Sequence, residues 1–234
     1  MFFPDSTPGH NPSQTELAYQ YLLEKILSCE YLPGQEISEK MLNEELSFGR
    51  TPIREALLAL KSQNLVKVYP RRGMRIRPFT RKYINEIYQI RKIIEPTVIT
   101  QFKGAYSKPA LMDMQAEIEN LHDADNAQFY RKDIRFHMYF IEQTGNDELI
   151  GFYENLMVET YRLAMYAASH KRSIREENIP QHAKIIRALI TENDDQIAMA
   201  VNEHINHSLV TLIRVLDLTG EPDDELPPTP HMTY

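Results

Sequence analysis

Three residues, Ser47-Phe48-Gly49, separate two stretches of helical periodicity, and so short a joint leaves the chain few arrangements. Upstream, residues 38–46 open on a capping serine and place Met41, Leu42 and Leu46 inward. Downstream, residues 50–63 place Ile53, Ala56, Leu57 and Leu60 at helical spacing. Pro52 falls in the first turn, where a missing N–H removes no hydrogen bond. An earlier helix is drawn over residues 14–28 by Leu17/Ala18, Tyr21/Leu22 and Ile26/Leu27, and Pro33-Gly34 ends that segment in a turn. A helix, a tight turn and a second helix, in that order, predict a helix-turn-helix. Residues 65–69 and 74–77 then alternate around Pro70-Arg71-Arg72-Gly73, which predicts a β-hairpin with Arg71 and Arg72 at its tip and Arg75 and Arg77 facing outward.

Charge distribution gives this region a partner. The chain of 234 residues has a net charge of −7. Residues 50–77 nevertheless hold eight Lys/Arg against one acid, Glu55, a net of +7, whereas residues 80–234 hold 16 basic and 24 acidic side chains. A basic footprint beside an acidic remainder suits a nucleic-acid-reading module joined to something else. Arg50 and Arg54, four apart, project together from a face other than the apolar stripe and suit phosphate oxygens and guanine edges. A hairpin with a basic tip beside such a helix is a wing, aimed at the backbone or an adjacent minor groove.

The remainder reads as helix. Thr80 opens a pattern with Ile84, Ile87/Tyr88, Ile90, Ile94 and Val98 in register, which Pro96 is expected to kink or break. Helical patterns continue over 108–125, 126–144, 146–169, 176–192 and 194–217. The fold class expected is therefore mainly α: a winged helix-turn-helix of three helices and a β-hairpin over 14–79, then an all-α bundle over 80–218. Residues 1–13, with Pro4, Pro8 and Pro12, are expected to be a flexible arm, and the acidic, proline-rich 219–234 a disordered tail. One cysteine, Cys29, excludes an internal disulfide framework, and no apolar run nears the roughly 20 residues that span a bilayer. With no basic-then-apolar leader in MFFPDSTPGH, a cytoplasmic location is expected.

One constellation in the bundle carries chemistry. Asp133 and His137, at i and i+4, share a helix face; His182 begins the fifth bundle helix, and His204 lies midway along the last. One carboxylate and three imidazoles suit a divalent metal, and Zn, Ni and Mn are all compatible. The same residues also serve as a solvated pair, a helix cap and a core histidine. A histidine-bound metal with open positions also describes hydrolases, which need a general base. Glu95 or Glu142 is available for that role, but neither stands out by its spacing.

The motifs carry a resemblance. LPGQEISEKML (32–42), RTPIREALLAL (50–60), LVKV (65–68) and PRRGMRI (70–76) resemble the winged helix-turn-helix of the GntR family of bacterial transcription regulators. The resemblance implies DNA contacts from Arg50, Thr51 and Arg54 on the recognition helix, from Lys40 on the helix before it, and from Arg71 and Arg72 in the wing, with Gly73 letting the tip approach the groove. The family usually has glycine, a small apolar residue and serine before the first arginine; here the order is Ser47-Phe48-Gly49, which removes a hydroxyl suited to phosphate. RKDIRFHMYFIEQTGN (131–146), QHAKIIRAL (181–189) and AMAVNEHINHSL (198–209) resemble the FCD ligand-binding domain of the FadR-like branch. That implies a metal held by Asp133, His137, His182 and His204, with His207 close enough in sequence to be confused with the last. It also implies a small organic or sugar acid as effector, near Arg91, Asn146 and Arg162, and a homodimer on double-stranded operator DNA. The function expected is a sequence-specific transcriptional regulator, a repressor by preference. The alternatives are a metal-dependent hydrolase and a constitutive dimeric DNA-binding protein without effector.

Overall fold

The computed structural model describes residues 11–171 and 174–220. The expected arm and tail fall mostly on residues 1–10 and 221–234, outside the described residues. The chain divides into two compact units between Thr80 and Arg81.

The first unit is built by capping and short joints. Helix α1 (Gln14–Leu27) starts on Ser13, whose hydroxyl accepts from Glu16 N while the Glu16 carboxylate accepts from Ser13 N, a capping box. Strand β1 (Glu36–Ile37) leads into α2 (Glu39–Leu46), capped by Ser38. Ser47 takes a left-handed conformation, φ 53°, which stops α2, and Gly49 caps α3 (Arg50–Ser62) without a side-chain bond. Strands β2 (Val66–Tyr69) and β3 (Gly73–Ile76) pair antiparallel, Val66 opposite Ile76 and Tyr69 opposite Gly73. The sheet has three strands rather than the two expected: β1 pairs with β3, Ile37 opposite Met74, in the order β1-β3-β2. Leu22, Ile26, Ile37, Leu42, Ile53, Leu60 and Ile76 are fully buried and hold helices and sheet together. Glu45 fastens α2 to the first helical layer, accepting hydrogen bonds from the hydroxyls of Tyr21 and Tyr31.

The second unit is a helical bundle: α4 (Arg81–Gln101), α5 (Lys108–Glu119), α6 (Asn126–Glu142), α7 (Asp147–His170), α8 (Ile174–Thr191) and α9 (Asp194–Thr219). Polar side chains cap four of them: Ser107 on α5, Asp125 on α6, Asn146 on α7 and Asn193 on α9. Helix α4 lies along α9, α6 on α7, and α8 on α9. Pro96 does not break α4, which runs unbroken through it; the one hydrogen bond its missing N–H would donate is forgone, and the Thr97 hydroxyl donates to Ile93 O at 2.9 Å beside it. His182 is not at a helix start: α8 begins at Ile174, so the imidazole projects from mid-helix. Among the described residues, no helix is long and apolar enough to cross a membrane.

Candidate metal centre and nucleic-acid interface

The inward stripe of α4 is where the site begins. Ile84, Ile87, Tyr88 and Val98 are buried as the apolar register requires, but the two turns between them place Arg91 and Glu95 in the same stripe, 2 % and 1 % exposed. A buried charge is stable only when paired. Arg91 Nε donates to Glu95 Oε1 at 2.6 Å; the second carboxylate oxygen lies 2.8 Å from His137 Nδ1, and the Tyr153 hydroxyl also donates to Glu95. Glu95 thus fixes the orientation of His137 through Nδ1 and turns Nε2 towards the interior, the arrangement in which a carboxylate orients a metal-binding imidazole.

Around His137 Nε2 the other candidates converge. His137 Nε2 lies 3.2 Å from His204 Nε2 and 3.3 Å from Arg91 Nη2. His182 Nε2 faces Asp133 Oδ1 at 3.1 Å. The donor atoms of His137, His182 and His204 all lie within 4.8 Å of one another, and the three side chains are buried. Asp133 Oδ1, His182 Nε2 and His204 Nδ1 have no well-formed hydrogen bond, an expensive condition for buried polar atoms. Two ligands of one ion at roughly 2.1 Å stand about 3.0–3.4 Å apart, so the His137–His204 and Asp133–His182 separations are those of neighbouring ligands. The donor set, one carboxylate and three imidazoles, fits a divalent first-row ion.

The electrostatics favour the ligating forms of Asp133, His182 and His204. Burial pushes the His204 imidazole well below its ordinary value, and His182, His137 and Arg91 push it the same way. Burial also lowers His182, against the opposing pull of Asp133. Burial alone raises both carboxyls. The His182 imidazole beside Asp133 and the Arg91 guanidinium beside Glu95 outweigh it, so both stay below the usual carboxylate range. Burial pushes the phenol of Tyr88, beside Arg91, up to about 12.

Next to His204 is a cavity of about 30 Å³ whose lining includes Arg91, Asp133, Thr160, Asn178 and Thr211. Two expected effector residues do not reach it. Asn146 is exposed, and its side chain accepts from Leu149 N at 3.1 Å, capping α7. Arg162 is fully buried but lies about 200° around α7 from Thr160, which lines the cavity, and its Nε stands 3.3 Å from Glu159 Oε2. His207 points away from the cluster, 3.1 Å from Glu177 Oε2. Tyr153 and Asn178 went unread in the sequence; each sits mid-helix, with no local pattern to mark it. Neither base suggested for a hydrolase is free to act at the cluster: Glu95 is fully engaged, and Glu142 is exposed on another face of α6.

The first unit presents the other candidate surface. Lys40, Arg50, Thr51, Arg54, Arg71, Arg72 and Gly73 are all exposed. Arg50, Thr51 and Arg54 occupy the start of α3, whose apolar face is locked into the core by Ile53, Ala56, Leu57 and Leu60. At the wing tip Arg71 has φ 62° and Gly73 φ 80°; the second is a conformation that glycine adopts without strain, and it closes the turn directly onto β3. Arg75 does not face outward as expected: it is half-buried, donating to Gly34 O and lying 3.5 Å from Glu36 Oε2, because the unforeseen strand β1 covers that side of β3.

Comparison with known proteins places both units. Residues 14–76 match the family of bacterial regulatory proteins called gntR, and residues 86–207 match the FCD domain. The chain is 25% identical over 206 residues to the uncharacterized HTH-type transcriptional regulator YdhC of Bacillus subtilis (strain 168), covering 85% of this chain and 91% of that one. It is 26% identical over 192 residues to the gluconate operon transcriptional repressor of Bacillus licheniformis, covering 78% of each. A GntR-type crystal structure from Rhodococcus sp. RHA1 superposes with a TM-score of 0.72 at 18% identity, over 87% of this chain and 99% of that chain. The family and these relatives are transcriptional regulators, not enzymes. The chain belongs to the GntR family of transcriptional regulators, in the FadR-like group that carries a C-terminal FCD domain.

Proposed function

We propose that this regulator is a homodimeric repressor whose affinity for a near-palindromic operator is set by a small carboxylic acid bound beside a divalent metal. The observation that carries this reading is the burial of Arg91 against Asp133 and three histidines, with several donor atoms left without hydrogen bonds. Asp133, His137, His182 and His204 would hold the ion, with Zn, Ni or Mn all suited to the donors. When bound, the metal supplies a centre of positive charge with positions open to an anionic ligand. Arg91 adds a second cation to the lining of the same cavity as Asp133 and His204. A carboxylate is the ligand that both cations favour, and a guanidinium forms its strongest hydrogen bonds with that group. One relative is named for a gluconate operon, and gluconate is itself a carboxylate, which agrees with an acidic effector.

On the DNA side, Arg50, Thr51 and Arg54 read the major groove, Lys40 contacts backbone, and Arg71 and Arg72 flank them from the wing. Two copies place their α3 helices about one helical turn apart. Helix α4 starts at Arg81, directly after the last residue of the first unit, and carries both Arg91 and Glu95. It is the element through which a change at the acid site reaches the DNA-binding unit. The acid must bind the two states of the protein unequally for this to work. A protein working on DNA in this way acts in the cytoplasm.

The test is operator binding by fluorescence anisotropy, with DNA selected from a random pool and zinc-loaded protein, as small carboxylic acids are titrated. The expected result is an affinity change of at least about 5-fold, the lower end of ordinary coupling. An unchanged affinity, with an acid demonstrably bound, would establish the constitutive reading instead.

A further inference from the structure

The basic face of the first unit has no carboxylate of its own. Lys40, Arg50, Arg54, Arg71 and Arg72 are exposed, and none forms an ion pair with a described residue. Exposed cations on the bundle are matched, Lys132 with Glu117 and Lys184 with Glu203. An unmatched basic face attracts any polyanion, not DNA alone. The chain carries one. Helix α9 ends on Gly220, φ 67°, and Glu221-Pro222-Asp223-Asp224-Glu225 follows with four carboxylates and no cation. The place where that segment leaves the bundle decides which cations it meets. Asp217, in the last turn of α9, pairs with Arg81, the first residue of α4. Arg81 lies five residues beyond the wing strand β3. Of the unmatched cations, Arg71 and Arg72 are therefore the nearest along the chain. Arg72 is nine residues before Arg81, which bounds their separation at about 30 Å. Glu225 is five residues beyond Gly220, about 17 Å of extended chain, and the long arms of arginine and glutamate extend both ends.

We propose that the acidic segment 221–225 docks on the wing arginines Arg71 and Arg72 and competes with DNA phosphate for them. This rests on the reading of the wing as a DNA contact. A carboxylate and a phosphodiester are alternative partners for the same guanidinium. Tethering presents the carboxylates at an effective concentration on the order of millimolar. Each exposed pair is weak by itself, so the segment lowers DNA affinity by a modest factor. That factor matters most on arbitrary sequence, where phosphate contacts supply nearly all of the binding. An operator adds base contacts that the segment does not oppose.

The test is a double-mutant cycle on the full-length protein, read by fluorescence anisotropy with a random-sequence DNA duplex. At low salt, the variant Glu221→Gln/Asp223→Asn/Asp224→Asn/Glu225→Gln should bind at least about 3-fold more tightly than the parent, and the advantage should fade as salt screens the ion pairs. Arg71→Gln/Arg72→Gln should bind at least about 5-fold more weakly than the parent, having lost two phosphate contacts. With both sets of substitutions combined, neutralising the segment should have no further effect, because its partners are gone. A neutralised segment that leaves affinity at the parent level, beside a weakened arginine variant, overturns the docking and leaves the wing reading standing. A gain that persists in full without the two arginines also overturns it, since the segment then repels DNA without touching the wing. An arginine variant that binds as the parent does overturns the wing reading, and this inference with it.

Discussion

In the first unit, Lys40, Arg50, Arg54, Arg71 and Arg72 stand in solvent around a core of Leu22, Ile26, Leu42, Ile53 and Leu60. In the second, Arg91, Glu95, Asp133, His137, Glu159, Arg162, His182 and His204 lie inside the core itself. Among the described residues every buried Asp, Glu, Arg or His belongs to the second unit. The difference teaches where each unit keeps its function. A surface that meets a polyanion needs charge in water and a rigid support beneath it. A site that holds a small ligand needs charge out of water, held by partners that are themselves buried. The first unit can therefore lose a functional side chain and keep its fold, whereas the second has made function and stability share residues.

Removing a buried partner gives the largest effect. Glu95→Ala leaves Arg91 and His137 without their shared carboxylate, and chemical denaturation should show the bundle destabilised by about 3–5 kcal/mol. Zinc affinity, measured by chelator competition, should fall about 10–100-fold as His137 loses its orienting partner. Unchanged stability would mean that this interior cluster is not held as described.

A smaller effect, and the converse one, is expected on the surface of α3. Arg54→Ala should weaken operator binding by about 1–3 kcal/mol and leave the unfolding midpoint within about 0.5 kcal/mol of the parent. A gel shift read beside a thermal melt separates the two. Loss of stability together with affinity would erase the contrast between the units.

Acid sharpens the comparison. His182 and His204 are held neutral by burial in the fold, below their ordinary 6.5. Once unfolded they take protons more readily. As pH falls through about 6.5 the unfolded chain therefore binds more protons, and the metal-free bundle loses stability, by at most about 1.4 kcal/mol per pH unit for each histidine. In the first unit Glu45 is held below its ordinary 4.5 by the Tyr21 hydroxyl and then that of Tyr31. Its contribution is present above that pH and is lost only below it. Circular dichroism from pH 7 to pH 4 should show the bundle weakening first; the reverse order contradicts the placement of the histidines.

The smallest effect tests the joint before α3. Gly49 caps that helix with no side-chain bond. Gly49→Ser should stabilise the first unit by a few tenths of a kcal/mol, seen as a small rise in melting temperature, with the bundle unaffected.

Much of this architecture was legible because it is written in local signals. Ser38, Pro52, the Pro33-Gly34 turn and the spacing of Ile53, Ala56, Leu57 and Leu60 each act within a few residues, and the helices follow them closely. Strand β1 was not legible: it is two residues long, and its partner lies across the sheet on β3. Arg91 and Glu95 could have been placed inside from sequence, since they fall in the same helical register as Ile84, Tyr88 and Val98. Asn146 illustrates the opposite error. Followed by Asp147 and Glu148 at a helix start, it carries the signature of an N-cap, and capping is what it does. Asn178 and Tyr153 became visible only in three dimensions, because their meaning lies in what other helices place opposite them.

The central claim is that the buried histidines hold a metal. Elemental analysis by plasma mass spectrometry, on the purified chain and on a His137→Ala/His182→Ala variant, tests it most directly. About one divalent ion per chain in the parent, and none in the variant, is the result predicted here. No bound ion in the parent, even after incubation with zinc, nickel and manganese, would contradict it and make the three histidines structural.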